Sequence, residues 1–406
     1  MKRGFQSFRG IFQAQGDYFR HNFDIEQIYG PLNRIDGLDF WDNIHPMFNA
    51  VGNYSLDLYS EALSKVVKNY IERFSSKKEQ SDHPLFIYLA HQTVHVPLEA
   101  RRDEPERCGK ITHRTRRVYC SMLMQLDDSI GELISMYKTT GLWENTLVLL
   151  MSDNGGMVNF DPNPEDNSPV YPASQGSNFP LRGSKTTMFE GAVRSLGALS
   201  GGIIPNEVRG THYSGLVHAV DFSATILNEA GILPLNREIL KPDGFPLLQA
   251  IITKTLTPRS DVPINIVYHG KKFSAIRFGK YKLIVDDAYF PSANGWYDLN
   301  GDLLQPSSED SVKGKDLLFN LEEDPQERND ISTLRPDLIE FGKTLLESYV
   351  IGGDYMEPQA SIQFHPRALP GKHNGVWAPF MSEREWMREY EENKHHDKDF
   401  INARVD

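Results

Sequence analysis

Two short apolar runs, Leu-Phe-Ile-Tyr-Leu-Ala over 85–90 and Thr-Leu-Val-Leu-Leu-Met-Ser over 146–152, constrain the fold of this chain more than any other feature. Neither alternates apolar with polar residues, so neither suits a sheet with one wet face. Each reads as a strand buried on both faces, as in a parallel sheet. Between them the spacing predicts a helix over about 114–140. Val118, Met122, Leu123, Leu126, Ile130, Leu133 and Tyr137 mark its apolar face, and Gly141 stands where a C-terminal cap belongs. Strand, long crossover and strand make a βαβ unit, so the expected class is α/β: a mostly parallel sheet with helices on both faces.

Further helices are expected over 54–75, where Leu58, Ala62, Val66, Tyr70 and Ile71 share a face, and over 219–230. Residues 157–180, rich in Pro, Asn, Ser and Asp, read as a long irregular loop, which inside a compact domain is usually functional. After about residue 255 the pattern changes. Phe-Ser-Ala-Ile-Arg-Phe-Gly and Lys-Tyr-Lys-Leu-Ile-Val-Asp-Asp (273–287) predict an antiparallel hairpin turning at Gly279-Lys280, followed by a polar stretch over 291–314 and a helix near 333–348. The expected organisation is an α/β domain over 1–255, a smaller α+β domain over 256–381, and a charged tail over 382–406.

Composition narrows the function classes. The formal net charge of −12 comes without a long basic run, which argues against nucleic acid as a partner. No stretch is long and apolar enough to span a membrane. The first residues carry no apolar h-region, so no secretory signal is expected in this chain. The two cysteines, Cys108 and Cys120, lack metal-site spacing; they can pair in an oxidising compartment, and two separate thiols are equally compatible with the sequence. Asn53-Tyr54-Ser55 is an N-glycosylation sequon, a weak pointer to a secretory history.

Three elements can carry chemistry. Ser152-Asp153-Asn154-Gly155-Gly156 follows the second apolar run, and ligands bind off the carboxyl ends of parallel strands. A carboxylate beside an amide oxygen suits a hard cation such as Ca²⁺ or Mg²⁺, although these five residues alone also describe an ordinary turn. His95 lies just past the first run, where an imidazole can protonate a leaving oxygen or hold an anion; alone, it is more often a plain loop histidine. Pro180-Leu181-Arg182-Gly183-Ser184-Lys185, leading to Phe189-Glu190-Gly191-Ala192-Val193-Arg194, supplies cations near a glycine, which suits a multiply charged oxyanion.

Taken in order, His-Gln-Thr-Val-His-Val-Pro (91–97), Leu-Leu-Met-Ser-Asp-Asn-Gly-Gly (149–156), the 180–194 segment and Leu-Phe-Asn-Leu-Glu-Glu-Asp-Pro (318–325) resemble successive landmarks of the type I, formylglycine-dependent sulfatase family. Within that family the chain is most similar to arylsulfatase B and its relatives. The resemblance runs from Arg3 to about Met381. It implies an alkaline-phosphatase-like α/β domain with a smaller C-terminal α+β domain carrying an antiparallel sheet. It implies Asp153 and Asn154 as ligands of one Ca²⁺ ion. His95 and Lys185 become the substrate-facing catalytic pair, the first protonating the departing oxygen or holding the sulfate, the second pairing with a sulfate oxygen. Arg182 and Arg194 are expected to be structural. The implied substrate is a sulfated sugar or glycosaminoglycan, by analogy a 4-sulfated N-acetylgalactosamine, and the implied compartment is lysosomal or secreted.

The chain departs from the family pattern in one respect. The nucleophile, a formylglycine made within a C/S-x-P-S-R or C-x-A-x-R motif, has no counterpart in this sequence, since Cys108 is followed by Gly-Lys-Ile-Thr and Cys120 by Ser-Met-Leu-Met. The paired aspartates that complete the metal shell are also missing, because Asp127-Asp128 falls mid-helix and Asp286-Asp287 in the smaller domain. The expectation is therefore a sulfuric ester hydrolase by family whose present chain is inactive, with the calcium site incomplete. Two alternatives are a non-catalytic pseudo-sulfatase that binds sulfated glycans and a phosphoester hydrolase of the alkaline phosphatase superfamily.

Overall fold

The computed structural model of the chain describes residues 4–13, 16–24, 35–102, 104–158, 176–232, 243–266, 274–285, 294–299, 302–305, 314–351 and 366–378. The tail over 382–406 and most of the polar stretches expected over 157–180 and 291–314 lie outside them. Two compact units emerge, one of Met1–Ala62 with Ser361–Asp406, the other of Leu63–Ala360.

The first unit is built on short antiparallel pairings. Strands β1 (Arg9–Gly10), β4 (Trp41–Asp42) and β5 (His45–Pro46) form one sheet, and β2 (Asn22–Asp24) pairs with β3 (Asp36–Leu38). Strands this short hold only when side chains anchor them. Phe23 and Trp377 supply an edge-to-face contact with centroids 5.5 Å apart, and the Trp377 indole donates to the Phe23 carbonyl at 2.9 Å. Helix α1 (Ser55–Arg73) starts in this unit, close to the boundaries expected from its apolar spacing.

In the second unit α2 (Lys77–Asp82) opens on a capping box made by Ser76 and Glu79. Helix α3 (Pro105–Cys108) is followed by α4 (Arg114–Thr139), β6 (Val148–Met151), α5 (Glu190–Val193), β7 (Gly197–Ser200), α6 (Ala219–Glu229) and α7 (Leu248–Thr253). Next come β8 (Asp261–Asn265), β9 (Ser274–Phe278), β10 (Tyr281–Val285), β11 (Trp296–Tyr297), β12 (Leu303–Gln305), β13 (Leu317–Asn320) and α8 (Pro336–Ile351). The predicted hairpin is β9–β10, its turn taken by Gly279 at φ 53°, where a side chain would be strained. It lies within a four-stranded antiparallel sheet ordered β13–β10–β9–β8.

Both faces of that sheet are covered. Ile276, Phe278, Leu283 and Leu318 pack against Leu346 and its neighbours on α8. The opposite face, Ala275, Ile284, Leu317 and Phe319, packs against Met188 and Phe189 of the 180–194 segment. A loop expected from its sequence to bind an anion thus doubles as the lining of a hydrophobic core.

The pairing of the two apolar runs differs from the sequence-based expectation. Among the described residues, 85–90 forms no strand and joins no ladder. Strand β6 pairs antiparallel with β7, Val148 opposite Ser200 through Met151 opposite Gly197. The physical reason is coverage: a parallel sheet of apolar strands needs neighbours on every side. Here Phe86 and Tyr88 are 55% and 75% exposed, and Leu150 and Met151 are 41% and 42% exposed.

Candidate functional site

The loop after β6 is stitched to the 176–185 segment by backbone and amide hydrogen bonds. The Asp153 carboxylate accepts the Asn154 N–H at 2.9 Å, and the Asn154 amide donates to the Gly155 carbonyl at 2.8 Å. Gly155 N–H reaches the Ala192 carbonyl at 2.7 Å. Only glycine fits there, since a Cβ on Gly155 would lie 1.8 Å from the Gly191 carbonyl oxygen. The Gly156 carbonyl accepts the Lys185 N–H at 3.1 Å. The backbones of the Asp153–Gly156 loop and the Lys185 loop are thereby tied together.

Asn178 is the clamp of this cluster. Its amide oxygen accepts the Gly156 N–H at 2.8 Å, while its nitrogen donates to the carbonyls of Gly156 at 2.8 Å and Gly183 at 3.0 Å. Sequence reasoning passed over it, although it falls within the polar loop singled out as functional. Ser184 adds a further tie by accepting the Val158 N–H at 3.0 Å. Asp153 is exposed, and Asn154 and Lys185 are half-buried.

His95 sits in a different loop, half-buried, with its ring Nδ1 2.8 Å from the Val96 carbonyl. A proton on Nδ1 satisfies that contact. Burial lowers its neighbour His91 to about 4, so that imidazole is uncharged at neutral pH.

The donor set was tested against the calcium ion that the family resemblance implies. Ca²⁺ takes six to eight oxygens, several of them carboxylates. The cluster offers the Asp153 carboxylate and the Asn154 amide oxygen, and among the described residues no group of three or more His, Cys, Asp or Glu is placed to hold a metal. These residues do not by themselves fit a calcium site.

Behind the loops lies a buried ionic core that the sequence did not reveal. Lys282, wholly buried on β10, lies 3.1 Å from a Glu190 carboxylate oxygen and 2.9 Å from one of Glu327. Glu327 also accepts the Glu190 N–H at 2.7 Å. Full burial pushes the Glu327 carboxyl up to about 7; the nearby Lys282 charge counters this in part, and Glu190 adds to it. Burial also raises Glu190, but Lys282 and Arg277 outweigh it and hold that carboxyl below its ordinary value. Arg182 is structural as expected, though through other partners: it donates to the carbonyls of Asn294 at 2.8 Å and Glu327 at 3.1 Å, and its guanidinium lies over Phe189 and Trp296. A second buried pair, Arg259 Nε to Asp221 at 2.8 Å, ties α6 to the start of β8.

Two covalent expectations are also located. Cys108 and Cys120 form a disulfide, joining α3 to α4. Asn53 is exposed, whereas Ser55 of its sequon is buried with its hydroxyl donated to the Tyr18 carbonyl at 3.1 Å.

Comparison with known proteins joins these features. The chain is 28% identical to mouse (Mus musculus) arylsulfatase J over 408 residues, covering 94% of this chain and 62% of that protein. It is 27% identical to N-acetylgalactosamine-6-sulfatase of Canis lupus familiaris over 270 residues, covering 64% of this chain and 46% of that one. The chain thus spans roughly half to three fifths of the length of these curated relatives. The crystal structure of Ps i-CgsB in complex with k-i-k-neocarrahexaose superposes with a TM-score of 0.61 at 23% identity, covering 90% of this chain and 70% of that one. The fold is accordingly α/β and alkaline-phosphatase-like, with the antiparallel sheet towards the C-terminus. A model described as Sulfatase matches residues 2–232. More than half of its length fits that model, and the chain belongs to the sulfatase family.

Proposed function

We propose that this chain carries the leaving-group and sulfate-binding side of a sulfuric ester hydrolase acting on sulfated sugars, of the arylsulfatase B kind. In this reading Lys185 pairs with a sulfate oxygen, and His95 protonates the departing alcohol oxygen or holds the sulfate. Asp153 and Asn154 are the chain's share of the calcium ligands. The domain division at 255 and 381 and a lysosomal or secreted location belong to the same proposal. Support for the location comes from the Cys108–Cys120 disulfide, a bond that persists in oxidising compartments.

The observation that supports the reading is the main-chain hydrogen bond from Lys185 N–H to the Gly156 carbonyl at 3.1 Å, which ties the backbone carrying Lys185 to the loop carrying Asp153 and Asn154 in a chain of this family. The sequence holds no nucleophile motif, so the 406-residue chain is expected to bind a sulfated sugar without cleaving it. Calorimetry should show binding of N-acetylgalactosamine 4-sulfate that weakens at least about tenfold in Lys185→Ala, the loss of one charge-assisted contact. An aryl sulfate should show no turnover with or without added Ca²⁺. Metal-dependent hydrolysis by this chain would overturn the expected inactivity, and unchanged affinity in the variant would remove Lys185 from the site. A non-catalytic glycan-binding role is the second reading, favoured by the same missing motif.

A further inference from the structure

We propose that the disulfide-closed segment from Arg101 to Arg117 is a docking surface for a sulfated glycan chain, separate from the loop cluster that would hold the ester. Seven arginines and lysines face three acids between 101 and 117, in a chain whose formal net charge is −12. Such a local reversal of sign attracts a polyanion that the rest of the protein repels.

Four of these cations fall into two groups, while the Arg116 guanidinium donates to the Leu299 carbonyl. Arg102 and Arg107 are spent internally: Arg107 grips Asp128 with two nitrogens at 2.9 and 2.7 Å, and Arg102 reaches Glu104 at 2.7 Å. Those pairs absorb Glu104 and Asp128, which would otherwise cancel the patch. Lys110 and Arg114 are exposed and enter no ion pair among the described residues. Their backbone is held in place. The Cys108–Cys120 bond closes the segment onto α4, Arg101 N–H donates to the Gln125 amide oxygen at 3.0 Å, and Glu104 N–H donates to Ser121 Oγ at 3.1 Å. A fixed scaffold reduces the ordering entropy lost when an extended anion binds.

Placement and chemistry select the occupant. Arg101 lies six positions after His95, so the patch begins within about 20 Å of that histidine, the most six residue steps can span. A polymeric substrate with its end at the ester site can reach that far. Binding of single-stranded nucleic acid relies on aromatic platforms for base stacking, and 101–117 holds no Phe, Tyr or Trp. Sulfate groups need only cations. The assignment of a glycan rests on the sulfatase reading above, but its test does not.

The full chain would be titrated with chondroitin sulfate polymer and with N-acetylgalactosamine 4-sulfate at several salt concentrations. In the double variant Lys110→Glu/Arg114→Glu, with circular dichroism and the disulfide unchanged, polymer binding is expected to weaken at least about tenfold and the log–log salt slope to shrink by about two. Monosaccharide binding should stay as in the wild type. Polymer affinity equal to wild type in the double variant would overturn the proposal, as would a DNA duplex binding as tightly as the glycan. Loss of polymer binding in the double variant, alongside monosaccharide binding untouched by Lys185→Ala, would support the docking surface while sinking the ester-site reading.

Discussion

At the residue scale, the buried charges behind the loops carry the sharpest consequences. Arg182 is stacked on two aromatic rings and bonded to two carbonyls, so Arg182→Ala leaves acceptors unpaired and a hole between rings. A loss of about 3 kcal/mol in urea unfolding is expected. Glu327 ionises near 4.5 when unfolded and near 7 when folded. Between those values the folded chain binds more protons than the unfolded one, so stability falls as pH rises across that window, by up to roughly 1.4 kcal/mol per unit. Glu190 and Asp221 are shifted downward, so what they contribute is intact above their unfolded values of 4.5 and 3.8 and fades only below them. The buried histidines, His91 above all, act in the opposite direction, so the test is the difference between wild type and Glu327→Gln: the wild type should gain stability relative to the variant as pH falls from 7.5 to 5. A wild-type-minus-variant difference in melting point that does not change between pH 7.5 and 5 would contradict this assignment.

At the element scale, the helices were legible because each depends on its own apolar spacing. The 114–140 expectation became Arg114–Thr139, and the 219–230 expectation became Ala219–Glu229. The hairpin was legible for the same reason, its turn residue and apolar runs being adjacent in sequence. Strand partners were not, because pairing depends on residues far apart: β6 found β7, and 85–90 remained unladdered among the described residues. Motif order singled out Asp153, Asn154 and Lys185 as candidates, whereas the clamp by Asn178, 22 residues from Gly156, and the Lys282–Glu190 contact, 92 residues apart, emerge only from the folded chain. Gly155→Ala tests the stitching, because its methyl must displace the Gly191 carbonyl. Sulfate binding should fall in that variant more than overall stability does, read by calorimetry against urea unfolding. Reducing Cys108–Cys120 should lower stability by about 3 kcal/mol, the loop-closure value for a segment of this size.

At the scale of the whole molecule, one unit holds both the loop cluster and the four-stranded sheet that backs it. The 180–194 segment faces both ways, offering Lys185 to the cluster and Phe189 to the sheet core, so the rigidity of the site derives from the C-terminal sheet. Apolar side chains left exposed along 85–90 and β6 mark where the α/β layer is least covered. The 101–117 segment sets seven arginines and lysines against three acids in a chain whose formal net charge is −12.

In the proposed site His95 joins Lys185 and the Asp153–Asn154 pair around one sulfate. A crystal structure of the full chain soaked with N-acetylgalactosamine 4-sulfate tests it directly. The account requires sulfate oxygens within hydrogen-bonding distance, about 3 Å, of both Lys185 Nζ and the His95 imidazole. Sulfate bound elsewhere, or His95 and Lys185 on opposite sides of the unit, would contradict it.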